Sequence, residues 1–173
     1  MLSEWSNFFR QCDAEVITGY NIVNFDLPYL MNRAEVLGVK AFPFLGKILN
    51  SKTTMRSSQL SSSAFGTHES KDFSMDGRVI MDMLHIITRD YKLRSYSLNS
   101  VSAEFLNEQK EDVHYSIITD LQQCSDQTRR RLAKYCLKDA ILPTRLMDKL
   151  LSLTNYIEMA RVTGLPPSWP ISG

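Results

Sequence analysis

The chain has 173 residues, of which 43% are hydrophobic and 23% charged, a balance typical of folded globular domains and far from disordered, collagen-like or membrane-embedded chains. At this length folding buries roughly 70% of the surface an unfolded chain exposes, so one ordinary domain with a real core is expected. Twenty basic against nineteen acidic residues leave a net charge of +1, which neither favours nor excludes a polyanionic partner.

Met1 to Arg10 contains Glu4, Ser6, Asn7 and Arg10 and has no apolar signal-peptide core. No stretch reaches the ~18 apolar residues of a membrane span. Cys12, Cys124 and Cys136 are odd in number and lack C-x-x-C spacing. Four-thiolate zinc and iron–sulfur sites are therefore excluded, and a reducing, intracellular compartment is expected.

From Val16 to Tyr20 a β-branched and aromatic run reads as a buried strand. Leu27, Leu30, Met31, Ala34 and Leu37 then recur at helical spacing, with Pro28 in the first turn and Gly38 where a C-terminal cap belongs. Between Asn50 and Asp76 periodicity fails among serines, threonines and charges, which predicts an extended or mobile insertion. Arg78–Met81 reads as a second strand, and Met83, Leu84, Ile87 and Tyr91 follow at helical spacing. Leu98, Val101 and Phe105 suggest another helix, capped by Ser95 or Ser97. One long helical region is expected from about Asp126 to Val162, ended by Gly164, Pro166, Pro167 and Pro170. Strands alternating with helices predict an α/β domain, although two strands make a thin sheet.

The stretch from Asp126 to Leu150 carries seven basic residues against three acidic ones. Such a run is either a solvated helix face or a surface for phosphates.

Two acids stand out by position. Asp26 follows a strand and either caps the next helix or holds a ligand. Asp139 lies in a helix among Cys136, Leu137, Ala140, Ile141 and Leu142, four residues after Tyr135 and thus on the same face. Pro143 removes the N–H that would bond the Asp139 carbonyl and predicts a bend there. The alternatives are a kinked core helix with an Asp–Tyr pair, or one half of a hydrolytic site for hard divalent cations. Asp13-Ala14-Glu15 reads as a turn or as a D-x-E ligand pair, with a turn favoured by its polar surroundings, and Asp82 as a cap or a further acid. His68, His85 and His114 form no readable constellation with a nucleophile, and no glycine-rich phosphate loop is present.

The segment Tyr20–Leu30, containing Asn21, Phe25 and Asp26, resembles the second exonuclease motif of family B DNA polymerases, and Tyr135–Ala140 with Leu142-Pro143 resembles the third. Gly77–Leu84, Tyr91–Asn99, Glu108–Val113 and Glu158–Gly164 extend the likeness from about Trp5 to Ser168. The resemblance implies a ribonuclease H-like 3′–5′ proofreading exonuclease domain over 1–165, with an inserted hairpin or mobile loop over 50–76, followed by a divergent tail over 166–173. It implies two Mg²⁺ ions bound partly by Asp26 and Asp139, with Tyr135 orienting the attacking water. Asn21 and Phe25, with Lys134 and Lys138 of the basic helix, are the expected nucleic-acid contacts. The implied substrate is a single-stranded DNA 3′ end, and for a complete polymerase the implied setting is the nucleus, with accessory subunits, a sliding clamp and no membrane. The family's first motif, a D-x-E within an apolar strand, has no counterpart here. The chain is therefore expected to be an N-terminally truncated fragment with little or no nuclease activity alone. The alternatives are a non-catalytic nucleic-acid-binding or decoy module and a helical interaction protein.

Overall fold

A computed structural model describes residues 1–62, 66–109 and 113–165, with side chains omitted over 57–62 and 66–71. The polypeptide divides into two units, Met1–Asp82 with Met159–Gly173, and Met83–Glu158.

The first unit opens with a helix that the sequence reading did not anticipate, α1 (Leu2–Cys12). Leu2, Trp5 and Phe9 lie at i, i+3 and i+7, which gives one apolar stripe. Trp5 stacks between Phe9 and Phe42, with ring centroids 5.1 and 5.6 Å away. The stripe packs on the buried Ala34, Phe42, Leu45 and Met75.

Strand β1 (Val16–Gly19) pairs in parallel with β4 (Val79–Asp82), from Val16 opposite Val79 to Gly19 opposite Asp82. Between them run α2 (Asp26–Val36) and the strands β2 (Thr54–Ser62) and β3 (Gly66–Ser74). β2 and β3 form an antiparallel hairpin within the 50–76 segment; the failed periodicity suggested only an extended or mobile insertion, and the hairpin was among the expectations from the family resemblance. Its base is anchored by Phe73, which is buried with Val23 and Leu27.

The end of α2 follows from Gly38. At φ 64° it adopts the left-handed conformation that glycine reaches without a Cβ clash. Its N–H donates to Glu35 O (2.9 Å) and that of Val39 to Ala34 O (2.9 Å), closing a Schellman motif. At the other end of the helix one expectation is corrected. Phe25, not Asp26, occupies the N-cap position, and Asp26 is the first helical residue; no side-chain cap bond forms.

In the second unit, α6 (Asp126–Lys149) contacts α3 (Met83–Asp90), α4 (Leu98–Leu106) and α5 (Ile118–Gln123). Leu142 and Leu146 on α6 are fully buried, as are Ile87 on α3 and Val101 on α4. Ser97 caps α4 by accepting from the Ser100 N–H (3.2 Å). Ser125 and Thr128 cap α6 reciprocally.

The long helical region expected to reach Val162 is two helices. α6 ends at Lys149, Leu151 takes a positive φ of 51°, and α7 (Ser152–Thr163) follows. Pro143 does not end α6, which runs on for six residues beyond it. The tail 166–173 lies outside the described residues, as do 110–112. Among the described residues no helix is long and apolar enough to cross a membrane.

Candidate functional site

β1 delivers the chain into a tight loop leading to Asp26. At its start Gly19 leaves room for the Ile22 side chain, which a Cβ at that position would meet. Asn21 takes φ 62°, a left-handed conformation that asparagine tolerates better than most residues. The loop is pinned from the neighbouring strand by Asp82. This side chain is only 1% exposed, and it accepts the Asn21 N–H at Oδ1 (2.7 Å) and the Val23 N–H at Oδ2 (3.1 Å). Because Gly19 and Asp82 are register partners, the end of β4 lies beside the turn out of β1.

Asp82 therefore holds the loop that precedes Asp26. The sequence reading weighed it only as a cap or a further acid. Its signal was a carboxylate at the end of an apolar strand, but the partners become visible only once β1 and β4 are paired.

The electrostatics follow from this proximity. Burial, chiefly, and the nearby Asp82 charge push the Asp26 carboxyl above the usual range, while its own backbone N–H opposes them. Burial and Asp82 also push the Tyr20 phenol up to about 12. A carboxyl whose charge is disfavoured by burial and by a like charge is a frequent mark of a functional site, and a cation would relieve both effects.

The pH consequence has a definite sign. With its folded pKa raised, Asp26 favours the native state when protonated, and that contribution is lost as pH rises through and past the ordinary aspartate range. Asp26→Asn should therefore stabilise the chain at neutral pH and make little difference well below pH 4. Urea midpoints for both proteins across pH 3–7 check this; a gap that narrows as pH rises would contradict it.

Around Asp26, Phe25 is 67% exposed, an aromatic face open to solvent. Asn21 Oδ1 accepts from Asn24 Nδ2 (3.3 Å), which ties two turns of the loop together.

The other candidate residues lie on α6 in the second unit. Tyr135 and Asp139, four apart, share a helix face and are both half-buried. Their surroundings differ from the apolar neighbourhood expected: Cys136, Leu137, Ala140 and Ile141 are exposed, and only Leu142 is buried.

The basic character of α6 is partly neutralised locally. Lys138 and Arg145 both pair with Glu108, just beyond the end of α4, and Arg129 pairs with Asp126. The hydrogen bond from Lys138, with Arg145 nearby, lowers the Glu108 pKa. Lys138 was expected to meet nucleic acid, yet its ammonium is engaged by Glu108, whereas Lys134 is exposed. The structure thus gathers Asn21, Phe25 and Asp26 on one loop and Lys134, Tyr135, Lys138 and Asp139 on one helix, in different units.

Asp13 and Glu15 occupy a turn and make structural ion pairs. Asp13, at φ 45°, closes α1 and lies 3.3 Å from Lys47 and 3.4 Å from Arg78, while Glu15 meets Lys47 at 2.6 Å. The hydrogen bond from Lys47 holds the Glu15 carboxyl below its usual range.

As to a metal, Asp26 offers the hard oxygen donor that Mg²⁺ prefers. The described residues nevertheless contain no group of three or more His, Cys, Asp or Glu side chains able to share an ion.

The described residues form a mixed α/β fold with an acid at a strand-to-helix junction and, on a separate helix, a Tyr-x-x-x-Asp spacing. The chain belongs to the family described as DNA polymerase family B, exonuclease domain, whose match covers residues 1–101. It is similar throughout to DNA polymerase delta catalytic subunits. Identity is 59% over 172 residues with that of Oryza sativa subsp. japonica, covering 99% of this chain and 16% of the relative. It is 60% over 166 residues with that of Schizosaccharomyces pombe, covering 96% and 15%, and 58% over 172 residues with that of Bos taurus, covering 99% and 16%. The chain thus spans about one-sixth of the length of these relatives.

Proposed function

We propose that this chain is a segment of the 3′–5′ proofreading exonuclease domain of a nuclear replicative polymerase of the delta type. In this reading the domain has a ribonuclease H-like fold and removes nucleotides from a single-stranded DNA 3′ end. Asp26 and Asp139 are the acids of the reaction, and Tyr135 orients the attacking water. Phe25 offers a face for an unpaired base, Asn21 shapes the loop beneath it, and Lys134 supplies positive charge, with Lys138 as a second cation if Glu108 releases it. The observation that carries the reading is 59% identity over 99% of the chain; the resemblance of Tyr20–Leu30 and Tyr135–Ala140 to the two motifs supports the roles given to Asp26, Tyr135 and Asp139.

Mg²⁺ in such a domain stabilises charge on the phosphate and promotes ionisation of water. Because the described residues lack a three-ligand group, the 173-residue chain alone is expected not to hydrolyse DNA. Accessory subunits and a sliding clamp are partners of the whole polymerase in this reading.

A chimera tests the proposal. The chain replaces the matching segment of the rice polymerase, and shortening of a 3′-labelled single strand is measured with Mg²⁺. The chimera should retain exonuclease activity, and Asp26→Ala or Asp139→Ala should lower it on the order of a hundredfold or more, the scale seen when a transition-state-stabilising group is removed. An active chimera indifferent to both substitutions would overturn the assignment. The missing three-ligand group favours a second reading, a non-catalytic DNA-binding module. A chimera without exonuclease activity, with salt-dependent oligonucleotide binding by the isolated chain, would support it.

A further inference from the structure

The first unit holds a cavity that the proposed hydrolytic residues do not use. It has a volume of about 650 Å³ and lies between the C-terminal end of α2 and the start of β2. That size falls within the range of small-ligand sites. Met31, Val39, Phe44 and Met55 give it apolar and aromatic walls, with Lys40 and Lys52 at the polar positions. Counted along α2, nine residues separate Asp26 from Glu35 on the cavity wall, or about 13 Å at the helical rise. The cavity is therefore distinct from the Asp26 loop.

Its charge pattern narrows the occupant. Lys40 and Lys52 are exposed, and neither forms an ion pair among the described residues. Glu35 is the one carboxylate on the wall, so the lining carries an excess of positive charge. Lys52 Nζ lies over the Phe44 ring, 5.9 Å from its centroid, so a cation sits on one side of that aromatic. Met31 and Met55 bring unbranched, polarizable side chains that adapt to a flat guest. An aromatic ring, adaptable apolar walls and two lysines in one lining match the two parts of an unpaired nucleotide: a base that stacks and a phosphodiester that pairs with ammonium groups.

We infer that this cavity binds a nucleotide of single-stranded DNA, its base against Phe44, Met31 and Met55 and its phosphates at Lys40 and Lys52. The inference rests on the reading of the chain as a DNA-acting domain, and it adds a binding site away from the proposed point of cleavage. Because Met55 belongs to β2, a strand seated there would run past the base of the hairpin.

The test uses the full chain carrying ¹³C-methyl methionine, with EDTA present and a short oligo-dT as probe. The Met31 and Met55 methyl signals should shift on titration, while Met1 and Met159 stay in place as controls. In fluorescence anisotropy, Lys40→Gln with Lys52→Gln should weaken oligonucleotide binding about tenfold and flatten its salt dependence by roughly one unit of slope per lysine. Circular dichroism confirms that the double variant folds.

Unmoved Met31 and Met55 signals at saturating oligonucleotide would overturn the inference, and so would an absence of binding. Weakening by Lys134→Gln alone would keep DNA binding on α6 and remove it from the cavity. A hexaglutamate peptide that shifts the same methyls and displaces the oligonucleotide would reassign the cavity to an acidic protein segment. Exonuclease activity of the chimera is read independently of all these outcomes, so the proposed function stands or falls apart from the cavity.

Discussion

Asp82→Ala should destabilise the first unit by about 3 kcal/mol, because the backbone N–H groups of Asn21 and Val23 both lose a charged acceptor that is itself buried. Replacing a buried acceptor by a methyl group leaves these two N–H donors without the carboxylate that accepts them. Asp82→Asn is the informative comparison. The carboxamide keeps one oxygen acceptor but aims an N–H₂ group at the second donor, so its cost should be comparable or slightly smaller. Urea unfolding measures both costs. A local readout separates this effect from general damage: the amide resonances of Asn21 and Val23 should move more than those of Val16 and Ile17 in the same strand region. The Asp26 pKa should also fall toward the ordinary range, because one of the two effects raising it is the Asp82 charge. An Asp82→Ala protein as stable as the parent, with the Asn21 and Val23 amides unmoved, would refute the clamp.

The clamp shows what a single sequence can and cannot disclose. β1, α2, β4 and α4 were legible because each carries its own punctuation: β-branched runs for the strands, Gly38 after α2, and Ser97 before α4. Local signals fix local structure. Helix α1 escaped because Leu2, Trp5 and Phe9 are interleaved with Glu4, Ser6, Asn7 and Arg10, which read as polar interruption until the stripe is set against Phe42. The break at Leu151 escaped for the opposite reason, since Leu150-Leu151 continues the apolar pattern and no glycine or proline marks the turn. Asp26 looked like a cap because aspartate before a proline-containing turn is favoured there; the helix instead begins one residue earlier than that reading required.

The site was legible unevenly for the same physical reason. Asp26, Tyr135 and Asp139 are marked by short motifs, whereas what acts on them comes from distant sequence. Asp82 is 61 residues from Asn21, and Glu108 is 30 residues from Lys138. Counting charges between Asp126 and Leu150 gave a strongly basic helix, but Glu108 lies outside that window and engages two of its cations. The field of α6 is accordingly weaker than its own composition implies, and Lys134 becomes a more available cation than Lys138. Coulombic contributions of this kind depend on pairing geometry that spacing along one helix does not contain.

Phe42→Ala carries the other large expected effect, about 3–5 kcal/mol, the range for removing a fully buried aromatic side chain. Against a total stability of roughly 5–15 kcal/mol for an ordinary domain, that is a large fraction. The loss has two parts: the transfer of the ring out of the core, and a cavity that cannot close because Ala34, Leu45 and Met75 are held by separate elements. It should also be spatially biased. Trp5 would lose one of its two stacking partners, so amide exchange in α1 should accelerate more than in α2, whose end is secured by its own Schellman motif. Phe25→Ala provides the contrast. That ring is 67% exposed, and its removal should change stability by less than about 0.5 kcal/mol while weakening oligonucleotide binding. Urea midpoints and exchange rates for the two variants check the difference. Similar costs for both would mean that the ring at position 42 does not support α1 and that the aromatic at position 25 is structural, which would remove the physical basis for reading it as a nucleic-acid contact.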